Sequence, residues 1–365
     1  MTILLDPQIF SQKYGGISRY FTEVWSRFKV NPNVKINCEL IYSENLHLKE
    51  KKITPRFSNY FKIQNQQLKR IISLTQRLLT IKSILTKEFD VFVPTYYNPY
   101  FLKFIGNRPF VLTVYDMIDE LYLNYLPDNQ TVEWKRILIE KSTKIISISH
   151  STKNDILRIY PQINENKIEV VHLSHSIDLN SISKEVDWLP QNYLLFIGNR
   201  AIYKNFAFFI KSVHILFKED LTLSILCGGG GKFTKEENEL LLHYELRERV
   251  VQINFDDNQL FHLYNKAKAF IFPSEYEGFG IPVLEAMACG CPVILTYSSS
   301  FIEVAGEAGV FFENNNSDDL IDKIKKVIYD DKYREFIISK GRIQEKKFSW
   351  DLTAARCLEI YKSVI

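Results

Sequence analysis

The sequence predicts an α/β protein built from two Rossmann-like, doubly wound domains, and three observations carry that expectation. Short β-branched or aromatic runs alternate with helical stretches along nearly the whole chain, the order that a parallel sheet covered by helices on both faces requires. The 365 residues exceed what one hydrophobic core usually gathers. The alternation breaks at residues 178–192, a polar stretch with Pro190 and no clear period, which reads as a linker. The expected domains are 1–183 and 190–348, followed by a last helix within 349–365 behind the aromatic pair Phe348 and Trp350.

Composition narrows the class. Apolar residues make up 46% of the chain, and no apolar run is long enough to span a bilayer. The opening MTILLDPQ lacks a basic region, so it reads as a first strand and not a signal peptide, and a cytoplasmic location is expected. Five scattered cysteines argue against a disulfide framework. Cys289 and Cys291 lack a second ligand pair, so they read as packing thiols, and no metal site is expected. His172 and His175 read as part of a loop. A net charge of +3 is too small to imply a nucleic-acid partner.

The charge is unevenly spread. Between Lys49 and Lys87 lie ten Lys or Arg and one acid, Glu50. Leu68, Ile71, Ile72, Leu78, Leu79 and Ile81 recur there at roughly helical spacing. Two readings are open: a basic amphipathic helix that docks on an anionic membrane surface, or a solvated helix whose apolar stripe faces the core.

In order, the first half predicts strands at 3–5, 35–42, 89–93, 110–114, 144–149 and 168–171, with helices near 17–28, 66–86, 132–141 and 152–159. Asp6 closes the first strand, and Gly15-Gly16 open the first helix, where paired glycines let a backbone approach a ligand closely. Pro94-Thr95-Tyr96-Tyr97 and Thr113-Val114-Tyr115-Asp116-Met117 each fall at a strand end, where ligands bind in parallel sheets. In SISHSTKND, Thr152 and Asp155 have capping-box spacing, and no chemistry is assigned there.

The second half predicts strands at 193–197, 221–226, 250–254, 269–272, 292–295 and 310–312. After the first comes Gly198-Asn199-Arg200-Ala201-Ile202-Tyr203-Lys204-Asn205. After the second comes Cys227-Gly228-Gly229-Gly230-Gly231-Lys232-Phe233, whose glycine spacing and Phe233 exclude a Walker loop, so it reads as a turn. The most informative stretch is residues 277–292, EGFGIPVLEAMACGCP. A strand closed by Pro273 runs into a turn with Gly278 and Gly280, and a helix is expected with Pro282 first and a stop at Gly290. Such a helix start offers amide donors to an anion. Glu277 and Glu285 would repel a bare phosphate, so they suit hydroxyl groups carried by the same ligand, as in a sugar nucleotide.

Glu277 and Glu285, separated by seven residues that include Gly278-Phe279-Gly280, resemble the E-x7-E signature of the retaining glycosyltransferases of family 4. That resemblance implies the GT-B fold, two Rossmann-like domains facing each other across a cleft. It also implies a nucleotide held mostly by the second domain, an acceptor held mostly by the first, and a last helix that crosses back to the first. Arg200 and Lys204 would hold the donor diphosphate, and fixed cations stabilise its growing charge without a metal. The amides of Phe279, Gly280 and Ile281 would orient sugar and phosphate. Glu277 would bind sugar hydroxyls and Glu285 the ribose. The leaving phosphate would take the acceptor proton on the same face, so no carboxylate nucleophile is needed.

Gly15 and Gly16 resemble the loop that faces the diphosphate and shapes the acceptor site. Tyr115 stands where the family usually has histidine. It is either a hydrogen-bonding substitute or a tyrosine packed on the rim, and Asp116 is the more credible polar contact. Ser298-Ser299-Ser300 and Glu303-Val304-Ala305-Gly306 resemble elements that line the cleft without reacting.

GGISRY, PTYY and GNR look like bacterial mannosyltransferases of surface polysaccharide (O-antigen or capsule) assembly. GDP-mannose is therefore the expected donor, with a UDP-hexose as alternative and no separate cofactor. A glycan acceptor carried on a lipid diphosphate, at the inner face of the membrane, would suit the basic segment. Two rival readings stay open: a synthase with a soluble sugar acceptor, and a non-catalytic sugar-nucleotide-binding subunit suggested by Tyr115.

Overall fold

The computed structural model describes residues 1–56, 63–123, 125, 129–179 and 188–365. The chain divides into two compact units, Met1–Leu173 with Ser349–Ile365, and Ser174–Phe348. The division falls after Leu173, ahead of the expected 183. That position lies outside the described residues, as does the middle of the expected linker, 180–187.

The first unit is built on six parallel strands: β1 (Thr2–Leu5), β2 (Lys35–Cys38), β3 (Val91–Val93), β4 (Val111–Val114), β5 (Lys144–Ser147) and β6 (Ile168–Val170). β1 lies between β2 and β3, and β5 lies between β4 and β6. One parallel bridge, Phe92 to Phe110, joins the two triplets into the order β2-β1-β3-β4-β5-β6. β3 and β4 are buried at every residue, as strands covered on both faces are, and apart from Thr113 they are apolar throughout. The strand order reverses at β1 and β3, whose carboxyl ends carry Asp6 and Thr95. The last helix, Trp350–Lys362, packs in this unit through Tyr361 against Phe28, with ring centroids 6.1 Å apart, and through Cys357 against Tyr20.

Two elements depart from their expected bounds. β2 stops at Cys38, short of the expected 42, because Gln76 Oε1 accepts from the amides of Ile41 and Tyr42 at 3.0 Å each. This also explains a glutamine that is buried. The helix expected at 152–159 begins at His150: Ser149 Oγ accepts from Thr152 N at 3.0 Å, so Ser149 is the cap. Asp155 pairs instead with Arg158 at 2.7 Å.

Asp6 is fully buried and accepts from Tyr100 OH at 2.7 Å; burial pushes its carboxyl up from the ordinary 3.8 to about 6. The folded state therefore holds this proton more tightly than the unfolded chain. The group's contribution is fully present below about pH 4 and is lost as pH rises through about 6, a loss of about 2–3 kcal/mol. Asp6→Asn is expected to be more stable than wild type at pH 8 and to lose most of that advantage at pH 4. Urea unfolding at both values checks this, and an equal difference at the two pH values would sink it.

The second unit carries β7 (Asn192–Ile197), β8 (Leu223–Gly228), β9 (Val250–Ile253), β10 (Ala269–Phe272), β11 (Val293–Thr296) and β12 (Gly309–Phe312). All are parallel, in the order β9-β8-β7-β10-β11-β12. This is the 3-2-1-4-5-6 winding of a dinucleotide fold, and its order reverses between β7 and β10. Phe196, Phe206, Phe209, Ile210 and Val213 fill part of one core layer, and Ile271, Ile294 and Leu320 extend it. The carboxyl ends of β7 and β10 thus present residues 198–205 and 273–280 side by side.

Candidate active site

Beyond β10 the chain passes Pro273 and reaches Gly280, whose φ of +93° is left-handed and closes the turn. A Cβ at Gly280 would lie 3.0 Å from Phe301 Cε1, so packing and backbone both require glycine. The helix runs Ile281–Ala288, which makes Pro282 its second residue and not the first, because Gly280 already turns the chain one position earlier. Among the described residues, the amides of Gly280 and Ile281 have no hydrogen-bond partner. They are open donors at a helix N-terminus.

The serine-rich turn holds this loop from behind. Ser298 Oγ donates to Glu275 O at 2.9 Å, and Ser300 Oγ reaches Glu277 O at 2.9 Å and Phe279 O at 3.0 Å. Glu277 N donates to Ser299 Oγ at 3.1 Å. Each hydroxyl thus satisfies a polar backbone group that the tight turn leaves without a ladder partner. Sequence reasoning saw the serines as lining and missed this work.

Residues 198–205 bring Lys204 to the same place. A short turn, Ile202–Lys204, ends at Asn205 in the left-handed region (φ 55°), and Tyr203 O accepts from Glu275 N at 2.8 Å. The two loops are thereby tied together. Lys204 Nζ donates to Glu277 Oε1, and both side chains are only 12% exposed. The ammonium also lies over the rings of Phe272, at 4.9 Å, and Tyr203, at 5.4 Å. A cation so enclosed has few rotamers and little water to displace it. Glu285 sits buried in the second turn of the helix, where Tyr264 OH donates to Oε2 at 3.2 Å. The structure therefore brings Lys204, Glu277, Phe279, Gly280, Ile281 and Glu285 together around one helix start.

Arg200, the other cation expected at the diphosphate, is engaged with different partners in the fold. Its Nε donates to Glu237 Oε1 at 2.7 Å, Nη1 to Gly229 O at 3.2 Å, and Nη2 to the carbonyls of Gly231 and Lys232 at 3.0 Å each. The side chain is 3% exposed, with its guanidinium 4.9 Å from the Phe233 ring. The glycine run serves these contacts. Gly229, Gly230 and Gly231 all have φ between +71° and +80° so that the chain can wrap the guanidinium, and a Cβ on Gly230 would lie 2.6 Å from Nη1. This turn is a socket for Arg200.

The remaining candidates belong to the first unit. Gly15 precedes the helix Gly16–Lys29, and a Cβ built on Gly16 would meet nothing within 4 Å, so packing in the fold does not demand glycine there. Tyr115 is 5% exposed, its OH donates to Thr95 O at 3.3 Å, and burial raises its pKa far above the usual value. It packs among Tyr20, Phe21 and Tyr97. Of the two readings for this residue, the packed one describes its surroundings.

Asp116 Oδ1 accepts from Ile118 N at 3.0 Å, and the side chain keeps 31% exposure. Beneath it lies a residue that sequence reasoning missed. Lys135 is fully buried, with Nζ 3.3 Å from Asp116 O, 3.3 Å from Asp119 Oδ2 and 2.8 Å from Glu120 Oε2. Burial acts to lower its pKa, but Asp116, Glu120 and Asp119 outweigh that and raise it, so Lys135 stays charged. No local pattern marks it: Lys135 and Arg136 stand side by side between Trp134 and Ile137, and only the fold buries one and leaves the other partly exposed.

Residues 180–344 match the family model described as glycosyl transferases group 1. The O-antigen chain mannosyltransferase B of Escherichia coli is 28% identical over 297 residues, which is 76% of this chain and 74% of that protein. The N-acetylgalactosamine-N,N'-diacetylbacillosaminyl-diphospho-undecaprenol 4-alpha-N-acetylgalactosaminyltransferase of Campylobacter jejuni is 29% identical over 218 residues, 58% of each chain. Among solved structures, Anabaena Alr3699/HepE in complex with UDP and glucose superposes with a TM-score of 0.74 at 16% identity, covering 100% of both chains. That likeness, with the two parallel-sheet units, gives the fold class as GT-B.

Proposed function

We propose that this protein is a retaining, metal-independent glycosyltransferase. It moves a hexose, mannose from GDP-mannose, to a hydroxyl of a glycan in bacterial surface polysaccharide assembly. The observation that carries this is the enclosed Lys204–Glu277 pair next to the open amides of Gly280 and Ile281, at the point where the strand order reverses. A cation and two amide donors suit a diphosphate, and carboxylates at 277 and 285 suit the hydroxyls attached to it. The relatives whose names speak of O-antigen mannose transfer and of a diphospho-undecaprenol substrate support the sugar and a lipid-linked acceptor.

In the transfer, the bond between the anomeric carbon and the diphosphate oxygen breaks as the acceptor oxygen bonds to that carbon on the same face. The acceptor proton passes to the departing phosphate oxygen. Lys204 and the two amides stabilise the charge that grows there, Glu277 orients the sugar, and Glu285 holds the ribose. Asp116, Gly15 and Gly16 are assigned to the acceptor side. The alternative donor is a UDP-hexose, favoured by the UDP and glucose bound in the Anabaena structure.

Release of nucleoside diphosphate from a panel of GDP- and UDP-sugars, with wild type and Glu277→Ala side by side, tests the assignment. GDP-mannose is expected to turn over selectively in wild type and at least about 10²-fold more slowly in the variant. Turnover of a UDP-sugar alone would overturn the donor. Binding without turnover, even with lipid-linked glycan supplied, would favour the non-catalytic subunit.

A further inference from the structure

The helix Gln66–Thr86 carries its most apolar face outward. Its buried residues are Gln76, Thr80, Ser83 and Ile84, which face the body of the first unit. Ile71, Leu74, Leu78 and Leu85 are instead 57–60% exposed. At about 100° per residue these four, with half-buried Ile81, fall within an arc of about 80° opposite the buried side. Of the residues whose helical spacing invited a core-facing stripe, Leu68, Ile71 and Leu78 are exposed, and Ile72, Leu79 and Ile81 are half-buried.

Charge identifies the occupant. The 21 residues of the helix contain Lys69, Arg70, Arg77 and Lys82 and no acid. Arg70 and Lys82 are exposed, lie just beyond either edge of the stripe, and make no ion pair among the described residues. A second copy of the helix would fit poorly. Ile71, Leu74, Leu78, Ile81 and Leu85 have the spacing of a coiled-coil seam, but its flanks hold Arg70, Arg77 and Lys82, so self-pairing sets cation against cation. An apolar stripe also gains nothing from a nucleic-acid backbone.

We infer that the helix Gln66–Thr86 docks on an anionic lipid surface. Ile71, Leu74, Leu78 and Leu85 enter the acyl boundary, and Arg70 and Lys82 rest on lipid phosphates. No helix among the described residues is long and apolar enough to cross a membrane, so this is attachment in the plane of the interface. The inference rests on the helix alone and is independent of the donor and the transfer chemistry.

Sedimentation with phosphatidylcholine vesicles, with and without phosphatidylglycerol, tests it on the full chain. Wild type is expected to bind the phosphatidylglycerol vesicles and to be released as salt rises. Leu74→Glu with Leu78→Glu should weaken binding at least tenfold, and Arg70→Gln with Lys82→Gln roughly tenfold. Both changes lie on exposed positions, so unchanged thermal unfolding separates lost docking from lost fold. No wild-type binding, equal binding by the leucine variant, or a wild-type dimer in light scattering that the leucine variant dissociates would each overturn the proposal.

Discussion

Lys204→Met is expected to lower kcat by roughly 10²- to 10³-fold, the usual consequence of removing one preorganised stabiliser of transition-state charge. The side chain is enclosed by Glu277 and the rings of Phe272 and Tyr203, so its charge stands ready without reorganisation. Glu277→Gln should cause a loss of similar size, because it removes both the proposed sugar contact and the group that aims Lys204. The two act as a unit, so the double variant should be no slower than the slower single one. Saturating turnover of the donor in all four proteins is the measurement. Fully additive losses would show that the pair does not work together, and wild-type rates in Lys204→Met would move the diphosphate site elsewhere.

Arg200→Ala is expected to destabilise the second unit by about 3 kcal/mol, because it leaves the Glu237 carboxylate with the Thr234 amide but no cation and strands several carbonyls of residues 229–232. For a unit of this size that corresponds to a Tm drop of roughly 10 °C. Arg200→Lys should recover little, since one ammonium cannot fork between a carboxylate on one side and a ring of carbonyls on the other. Gly230→Ala should fail similarly, through the 2.6 Å approach to Nη1 and the φ of +71°. Calorimetric unfolding alongside donor binding distinguishes the roles. An unchanged Tm with lost donor affinity would return Arg200 to the diphosphate.

Much of this protein was legible from residue spacing. The strand 269–272 coincides with β10, and the helix expected at 66–86 with Gln66–Thr86. The turn through Gly278 and Gly280 was recognisable because its causes are local: a strand-ending proline, a glycine that alone tolerates the turn, and a helix start within a few residues. Boundaries slipped where a distant side chain intervened. β2 lost its expected end to Gln76, more than thirty residues away in sequence, and no pattern around residues 35–42 announces that partner.

The same division holds for chemistry. Sequence by itself determined where the chain turns, which faces of its strands are apolar, and that Glu277, Gly280 and Glu285 share one strand-turn-helix. Only the tertiary structure decided which cation attends them. Arg200 and Lys204 are four residues apart on one loop, yet Lys204 meets Glu277 and Arg200 meets Glu237. It likewise decided that the leucines of residues 66–86 face outward while Gln76 and Lys135 are buried. A charged side chain settles on whichever opposite charge and carbonyls the folded backbone brings within reach. That pairing is a long-range property, and periodicity records only short-range ones.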